Sequence, residues 1–362
     1  MIAVFLFLFC QCTAADSLTE LRLLCSTASL RYSQALTAEQ ISAVTASLQS
    51  EANAEDLGVS FWREDSAALS AAATQRLAGC VPVIRFTGNA QDVYGASYLK
   101  GSAPKWSGSA QCAVSQPLAW ALWGSTDVLG QEVQIALPAG GAPLVLTVCG
   151  VFDANRELLL CPADSETGFP YLEVKGLRRD DPFTQCGLFL QQAGLGQPEQ
   201  LLFGDQIAAL FSVCAFLPWC FGVILLLAAV RRLLCANTGA RRGFDIFCTV
   251  LLVAVCAAVL HRLPAWLIPN RWADAAAWKA VIGPIREQWQ QWLALAPTGK
   301  DIRIKICIAK LICAWHGEAF CFFLMAHALF SAHTFLPTHP RHSRNILTNQ
   351  GEKGYFVKEA LN

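Results

Sequence analysis

From Ile207 to Val230 the chain runs for 24 positions without a charged residue. A helix of that length spans the roughly 30 Å hydrocarbon core of a bilayer. Only Pro218 interrupts the run, and a proline kink is tolerated in membranes because neighbouring groups re-satisfy the freed backbone. The run ends on Arg231-Arg232, and Arg241-Arg242 follow shortly after. Basic residues clustered against a span mark its cytoplasmic side. The 231–245 loop is therefore expected inside the cell and the preceding region outside it.

Other apolar segments extend this reading. Met1 to Ala15 is apolar but short for a span. Two interpretations fit it, a truncated first transmembrane helix or the core of a signal peptide. Both send the following residues across the membrane. Ile246 to Leu260 is a further run, and Leu311 to Leu336 is the last. The tail carries Arg341, Arg344, Lys353 and Lys358 and reads as cytoplasmic. Between 263 and 305 lie Trp266, Trp272, Trp278, Trp289 and Trp292. Tryptophan favours the headgroup layer, so Ala273 to Leu295 reads as amphipathic helix on the outer surface; a small soluble cap is the other reading.

The middle of the chain resembles a water-soluble domain. Leu18, Leu21, Leu24 and Cys25 recur at helical spacing, as do Ala35, Ile41, Val44 and Leu48 behind a Thr37/Gln40 capping box. Residues 17–80 are accordingly expected to be helical. Beyond them, Val81–Phe86, Gln111–Ser115, Val133–Leu137 and Leu144–Phe152 are short, β-branched and bounded by turn residues. Pro138 to Pro143 reads as the turn between the last two. Pro117 to Trp123 reads as a short helix stopped by Gly124, with Trp120 and Trp123 as core anchors. Arg178-Arg179 and Asp180-Asp181 read as a solvated linker.

The expected fold class is thus an α+β extracytoplasmic domain plus an all-α transmembrane bundle, with four spans, the first truncated. A truncated span or signal-like segment covers 1–15 and the extracytoplasmic domain 16–204. Transmembrane helices follow over 205–234, 244–262 and 306–336. A Trp-rich external loop occupies 263–304 and the cytoplasmic tail 337–362. This is a multi-pass protein of the plasma membrane, with the lipid bilayer as its first partner.

Composition narrows the function classes. Twenty-seven basic residues balance 27 acidic ones, so there is no electrostatic case for nucleic acid. Of the sixteen cysteines, Cys25, Cys80, Cys112, Cys149, Cys161 and Cys186 fall in the soluble region, where bridges are an open alternative to free thiols. No CxxC pair argues for structural zinc. A GxxxxGK[ST] loop, a GxSxG elbow and an HExxH helix are all absent from the sequence. His316-Gly317-Glu318 matches the HxE triplet of zinc deaminases but lacks their Pro-Cys-x-x-Cys element. With His327 it could form a proton or metal site; the simpler reading places His316 and Glu318 near the interface or in contact with each other. No catalytic, cofactor or metal site is assigned.

One stretch resembles a known family. Tyr98-Leu99-Lys100-Gly101 is followed by Cys112-Ala113-Val114-Ser115-Gln116-Pro117-Leu118-Ala119-Trp120-Ala121-Leu122-Trp123-Gly124-Ser125-Thr126-Asp127-Val128-Leu129-Gly130, then Leu146-Thr147-Val148-Cys149-Gly150-Val151. This is similar to the extracytoplasmic core of MacB-like ABC-transporter permeases, whose V-S-x-x-x-A-x-x-L-F-G-x-x-D-x-x-G stretch precedes a strand ending in V-x-G-V. Trp123 stands where that pattern has Phe. Leu267 to Trp272 also resembles a feature of permease-like proteins. The resemblance implies a permease-like subunit without an ATPase domain, coupling a separate ATPase to the external domain and pairing as a homo- or heterodimer with another permease. The Arg231 to Arg242 loop is the candidate ATPase contact. The alternative is a membrane-anchored binding or structural module without an ATPase.

The topology makes one direct prediction. In a Cys-free background, a cysteine placed at Ser165 should react with a membrane-impermeant maleimide on intact cells. Labelling only after permeabilisation would invert the assignment.

Overall fold

The computed structural model describes residues 2–50, 57–105, 110–136, 143–163, 168–177, 182–233, 238–262 and 273–334. The predicted turn at 138–143 falls almost wholly outside these residues. So do the Arg178 to Asp181 linker, the Leu267 to Trp272 segment and the tail after Pro337.

The chain begins with α1 (Ile2–Leu24), one unbroken helix joining the apolar start to the Leu18/Leu21/Leu24 stripe. It then departs from the helical expectation for 17–80. β1 (Ala28–Leu36) and β2 (Gly58–Ala71) are strands, separated by α2 (Ala38–Ser50). Only α2 was legible there, and its capping box is formed: Gln40 Oε1 accepts from Thr37 N–H at 2.9 Å and Thr37 Oγ1 from Gln40 N–H at 3.4 Å. β1 and β2 are rich in Ala and Ser, so local propensity is weak. Pairing decides their state: β1 through the distant β9 and β10, β2 through the adjacent β3 and the distant β9.

Eight more strands and three helices complete the domain. They are β3 (Leu77–Thr87), α3 (Ala90–Tyr94), β4 (Tyr98–Gly101), β5 (Gln111–Ser115), α4 (Gln116–Trp123), β6 (Glu132–Ile135), β7 (Leu144–Phe152), β8 (Leu159–Pro162), β9 (Phe169–Lys175), α5 (Pro182–Gln192) and β10 (Gln200–Phe203). All ten strands form one mixed sheet in the order β10-β1-β9-β2-β3-β8-β5-β7-β4, with β6 bridging β7 back to β2. That bridge closes a six-strand circuit, β2-β3-β8-β5-β7-β6. Closure removes free edges there and encloses a core of Leu69, Val83, Val114, Ile135, Val148 and Leu159.

α4 packs on this core. Ser115 Oγ caps it by accepting from Leu118 N–H, and Gly124, at φ 69°, ends it in the left-handed conformation. Leu118, Ala119 and Leu122 are buried. Trp120 is not the anchor expected, being 55% exposed. It lies two residues from both Leu118 and Leu122, on the outward side of an eight-residue helix. Trp123 is half-buried against the core.

The six cysteines of the domain region are free thiols. Burial pushes Cys161 up to about 12 and Cys112 well above its ordinary value.

Beyond β10 the described residues are mainly helical: α6 (Gly204–Cys214), α7 (Leu217–Leu233), α8 (Thr238–Arg262), α9 (Ala275–Ala294) and α10 (Gly299–Thr334). The transmembrane helix expected over 205–234 is interrupted at Ala215-Phe216, just before Pro218. Pro218 supplies no N–H to the carbonyl of Cys214 and its ring crowds that carbonyl, which is where α6 stops. Among the described residues, three stretches are long and apolar enough to cross a membrane: Ile2–Leu24, Gly204–Ala228 and Gly299–Ala328. α8 covers the remaining expected span and packs on α7.

Two outcomes follow. Leu122→Ala should destabilise the protein by about 2–5 kcal/mol and Trp120→Ala by less than about 0.5 kcal/mol, read from unfolding transitions in detergent. At pH 8, native protein should alkylate at exposed Cys80, whereas Cys112 and Cys161, held as thiols, should react only after denaturation.

Candidate functional site

Three helices meet the sheet at one edge. α1 ends at Leu24 and three residues later the chain enters β1. β10, paired antiparallel with β1, passes directly into α6. The crossing is close: a Cβ on Gly204 would lie 2.5 Å from the Thr27 carbonyl oxygen, so only glycine fits. The third helix, α10, reaches the same edge with its N-terminus. Leu21, Leu24, Leu202, Ile207, Ile304 and Leu311 pack together around the junction.

The start of α10 is dictated by its own sequence. Thr298 and Asp301 form a capping box: Thr298 Oγ1 accepts from Asp301 N–H at 3.3 Å, and Asp301 Oδ2 accepts from Thr298 N–H at 2.9 Å. Gly299 N–H donates to Glu64 Oε2 of β2 at 2.7 Å, and Arg156 holds the other oxygen of Glu64 at 2.8 Å. Carboxylates at a helix N-terminus complement its dipole.

The first turn of α10 then enters the domain. Lys300 is 3% exposed and Glu173 of β9 fully buried; Lys300 Nζ lies 2.9 Å from Glu173 Oε2. Lys300 also donates to the Asp92 carbonyl at 3.0 Å. Glu173 accepts in addition from Thr27 Oγ1 at 2.5 Å, Ser29 Oγ at 2.9 Å and Trp62 Nε1 at 3.0 Å. Register explains the convergence, since Ser29 of β1 and Ser60 of β2 both stand opposite Glu173.

A second pair lies beside the first. Arg31 of β1 grips Asp301 through both terminal nitrogens, at 2.8 and 2.6 Å, and both residues are buried. Trp292 of α9, 1% exposed, donates its indole N–H to Asp301 Oδ1 at 2.8 Å. Burial opposes the charge on Arg31, but the Asp301 carboxylate more than offsets this and holds the guanidinium above its ordinary pKa. Farther along, Arg303 donates twice to Glu20 Oε1 of α1, at 2.6 and 3.1 Å, and stacks over the Tyr94 ring at 4.8 Å. Buried ions that keep hydrogen-bonded partners are tolerated, whereas a single orphaned ion is costly.

The tryptophans of α9 therefore do more than face a headgroup layer. Trp292 is inside the junction, and Trp289 packs between it and Phe211 of α6, at centroid distances of 5.4 and 6.2 Å. Trp266 and Trp272 lie outside the described residues.

The residues singled out as an HxE pair do not come together. His316 is exposed and its Nδ1 lies 2.7 Å from the Ile312 carbonyl of its own helix, whereas Glu318 is fully buried. Residues two apart on a helix do not face each other. His327 is exposed, against Phe323. Among the described residues, no three His, Cys, Asp or Glu side chains gather as a metal site would need. Arg231 pairs with Asp245 at 2.9 Å, linking the facing ends of α7 and α8.

Residues of the junction went unmarked in the sequence reading because the partners of the α10 start come from six other elements, α1, α3, β1, β2, β9 and α9. The available signal was Thr298-Gly299-Lys300-Asp301-Ile302-Arg303, a capped and densely charged start to an apolar helix.

Comparison with known proteins gives structural neighbours only. The periplasmic region of MacB from Actinobacillus actinomycetemcomitans aligns at 14% identity over 50% of this chain and 89% of its own, with a TM-score of 0.39. The extracellular domain of a noncanonic ABC-type transporter, YknZ, from Gram-positive bacteria aligns at 15% identity over 48% of this chain and 96% of its own, with a TM-score of 0.35. No family model matches the sequence, and no curated protein matches it.

Truncating one partner of the junction should be severe. Asp301→Ala strands Arg31 and should cost about 3–5 kcal/mol. The double change Arg31→Met with Asp301→Ala should restore much of that loss, as read in a double-mutant cycle of thermal unfolding in detergent.

Proposed function

We propose that this chain is a permease-like membrane subunit of the MacB type, which couples a separate cytoplasmic ATPase to its extracytoplasmic α+β domain and has no chemistry of its own. In this reading it crosses the plasma membrane four times, through α1, α6–α7, α8 and α10, and works as a dimer with itself or another permease. The observation that carries the reading is the ionic seating of α10. A passive anchor needs only a peptide link to its domain. Here α10 is additionally bound to β1, β2, β9, α1 and α9 through partners that resist separation.

Length supports the same reading. The 36 residues of α10 extend about 54 Å, well beyond the roughly 30 Å of a bilayer core. One helix can therefore be held in the external domain and still reach the cytoplasmic side. The break at Ala215-Phe216 leaves the α6–α7 route able to bend, so α10 and α1 are the stiffer links. The Arg231–Asp245 pair holds α7 and α8 together beside the proposed ATPase contact.

The test is hydrogen exchange in membranes, with and without the candidate ATPase and ATP. Exchange in β1, β9 and β10 should change when the ATPase binds. The combination Lys300→Met and Glu173→Gln, which removes both charges of a pair together, should reduce that response while the domain stays folded. Identical exchange in both conditions, with ATPase binding confirmed independently, would favour the membrane-anchored module.

A further inference from the structure

A cavity of about 750 Å³ lies on the far side of the junction, between α1, the α6–α7 pair and α10. Its volume falls within the roughly 300–1,000 Å³ typical of small-molecule sites. Alanines of α1 and α6 leave the space open, while Phe216, Trp219 and Trp315 supply aromatic walls. Arg22 and Asp205 lie on its domain side, and Glu318 of α10 forms part of its wall.

Glu318 is the anomaly. It is fully buried, and neither carboxylate oxygen has a hydrogen-bond partner. The side-chain amide of Gln11 on α1 lies against it and is neutral, so it supplies no counter-charge. The cation that lines the same cavity is out of reach. A Cβ on Gly317 would touch Cys10 Sγ, so Glu318 sits level with Cys10, and Arg22 is twelve residues farther along α1, about 18 Å away. Arg22 is also engaged, donating to Ser212 Oγ at 3.1 and 3.3 Å. The carboxylate lies 19 residues into α10, about 28 Å from the seated N-terminus. At that depth a bare carboxylate is expensive, and such residues mark ligand or ion pathways.

We propose that this cavity binds a lipophilic ammonium compound, with Glu318 accepting its N–H donors and the aromatic walls enclosing its apolar body. The chemistry follows from the lining. An ionised carboxylate only accepts hydrogen bonds, so its complement is a cation that donates. Tryptophan and phenylalanine faces favour the same charge. A neutral hydrocarbon would fill the space and leave the carboxylate unpaired, and an anion would be repelled by it. Binding needs no ATPase, so the site can be tested separately from the coupling proposal.

The experiment is calorimetric titration of the full chain in lipid nanodiscs, with empty nanodiscs subtracted. Octylammonium is the probe, and octanol and octyl sulfate are its matched neutral and anionic forms. Octylammonium should bind at least tenfold more tightly than either. Glu318→Gln, which keeps the shape, should abolish that preference, and Ala209→Phe should reduce binding by filling the space while leaving the carboxylate in place. The two variants test the site independently, so a folding failure in one leaves the other decisive. Equal binding of octanol would reduce the site to an apolar groove, tighter binding of octyl sulfate would assign recognition to Arg22, and undiminished octylammonium binding in Glu318→Gln would place it elsewhere. Any of these, or no octylammonium binding at all, overturns the proposal.

Discussion

Glu173 and Lys300 meet where an amphipathic sheet runs out and apolar helices begin. Each is buried, and each is affordable only because the other is present with its neutral donors in place. β1 must lie between β10 and β9 to bring Thr27 and Ser29 to Glu173. The link from α1 to β1 must run against the link from β10 to α6, where Gly204 leaves room for the Cys25 and Thr27 backbone. α10 must begin at Gly299, not several residues later where the apolar run starts. The parallel Arg31–Asp301 pair repeats the same demand one residue on and draws α9 in through Trp292.

A junction of this kind trades stability for definition. Apolar residues of equal volume could hold helices to a sheet as well or better, but they would tolerate sliding. Charged partners with fixed donors do not. The six-strand circuit at the other end of the domain is a closed, apolar unit with its own core. The domain thus divides into a self-contained barrel-like part and an edge, β10-β1-β9, whose placement depends on the helices.

Much of the architecture was legible from local signals. The Thr37/Gln40 capping box, the Ser115 cap and Gly124 stop of α4, and the β-branched runs of β3, β5, β6 and β7 each carry their structure in a few neighbouring residues. β1 does not, because its Ala, Ser and Arg positions become strand only through β9 and β10, more than a hundred residues away; β2 pairs with the adjacent β3 as well as with β9, yet its Ala- and Ser-rich run carries little strand propensity of its own. Trp120 misled for a related reason. Size argues for burial, but the face of α4 is chosen by Leu118 and Leu122.

The sequence by itself determined that a short apolar run precedes an α+β region and that an uncharged stretch of bilayer length, Ile207 to Val230, follows it, because length and hydropathy are additive along a chain. It also determined where helix α4 stops, because the Gly124 cap is local; α10 begins at Gly299, seven residues before the span expected from 306. Which charges are buried, and that Glu318 faces a cavity while its neighbour His316 faces outward, was decided by tertiary structure alone. Burial and pairing of an ion depend on the groups that surround it in space. In this protein those groups come from α1, α3, β1, β2, β9, α9 and α10, which no local pattern brings together.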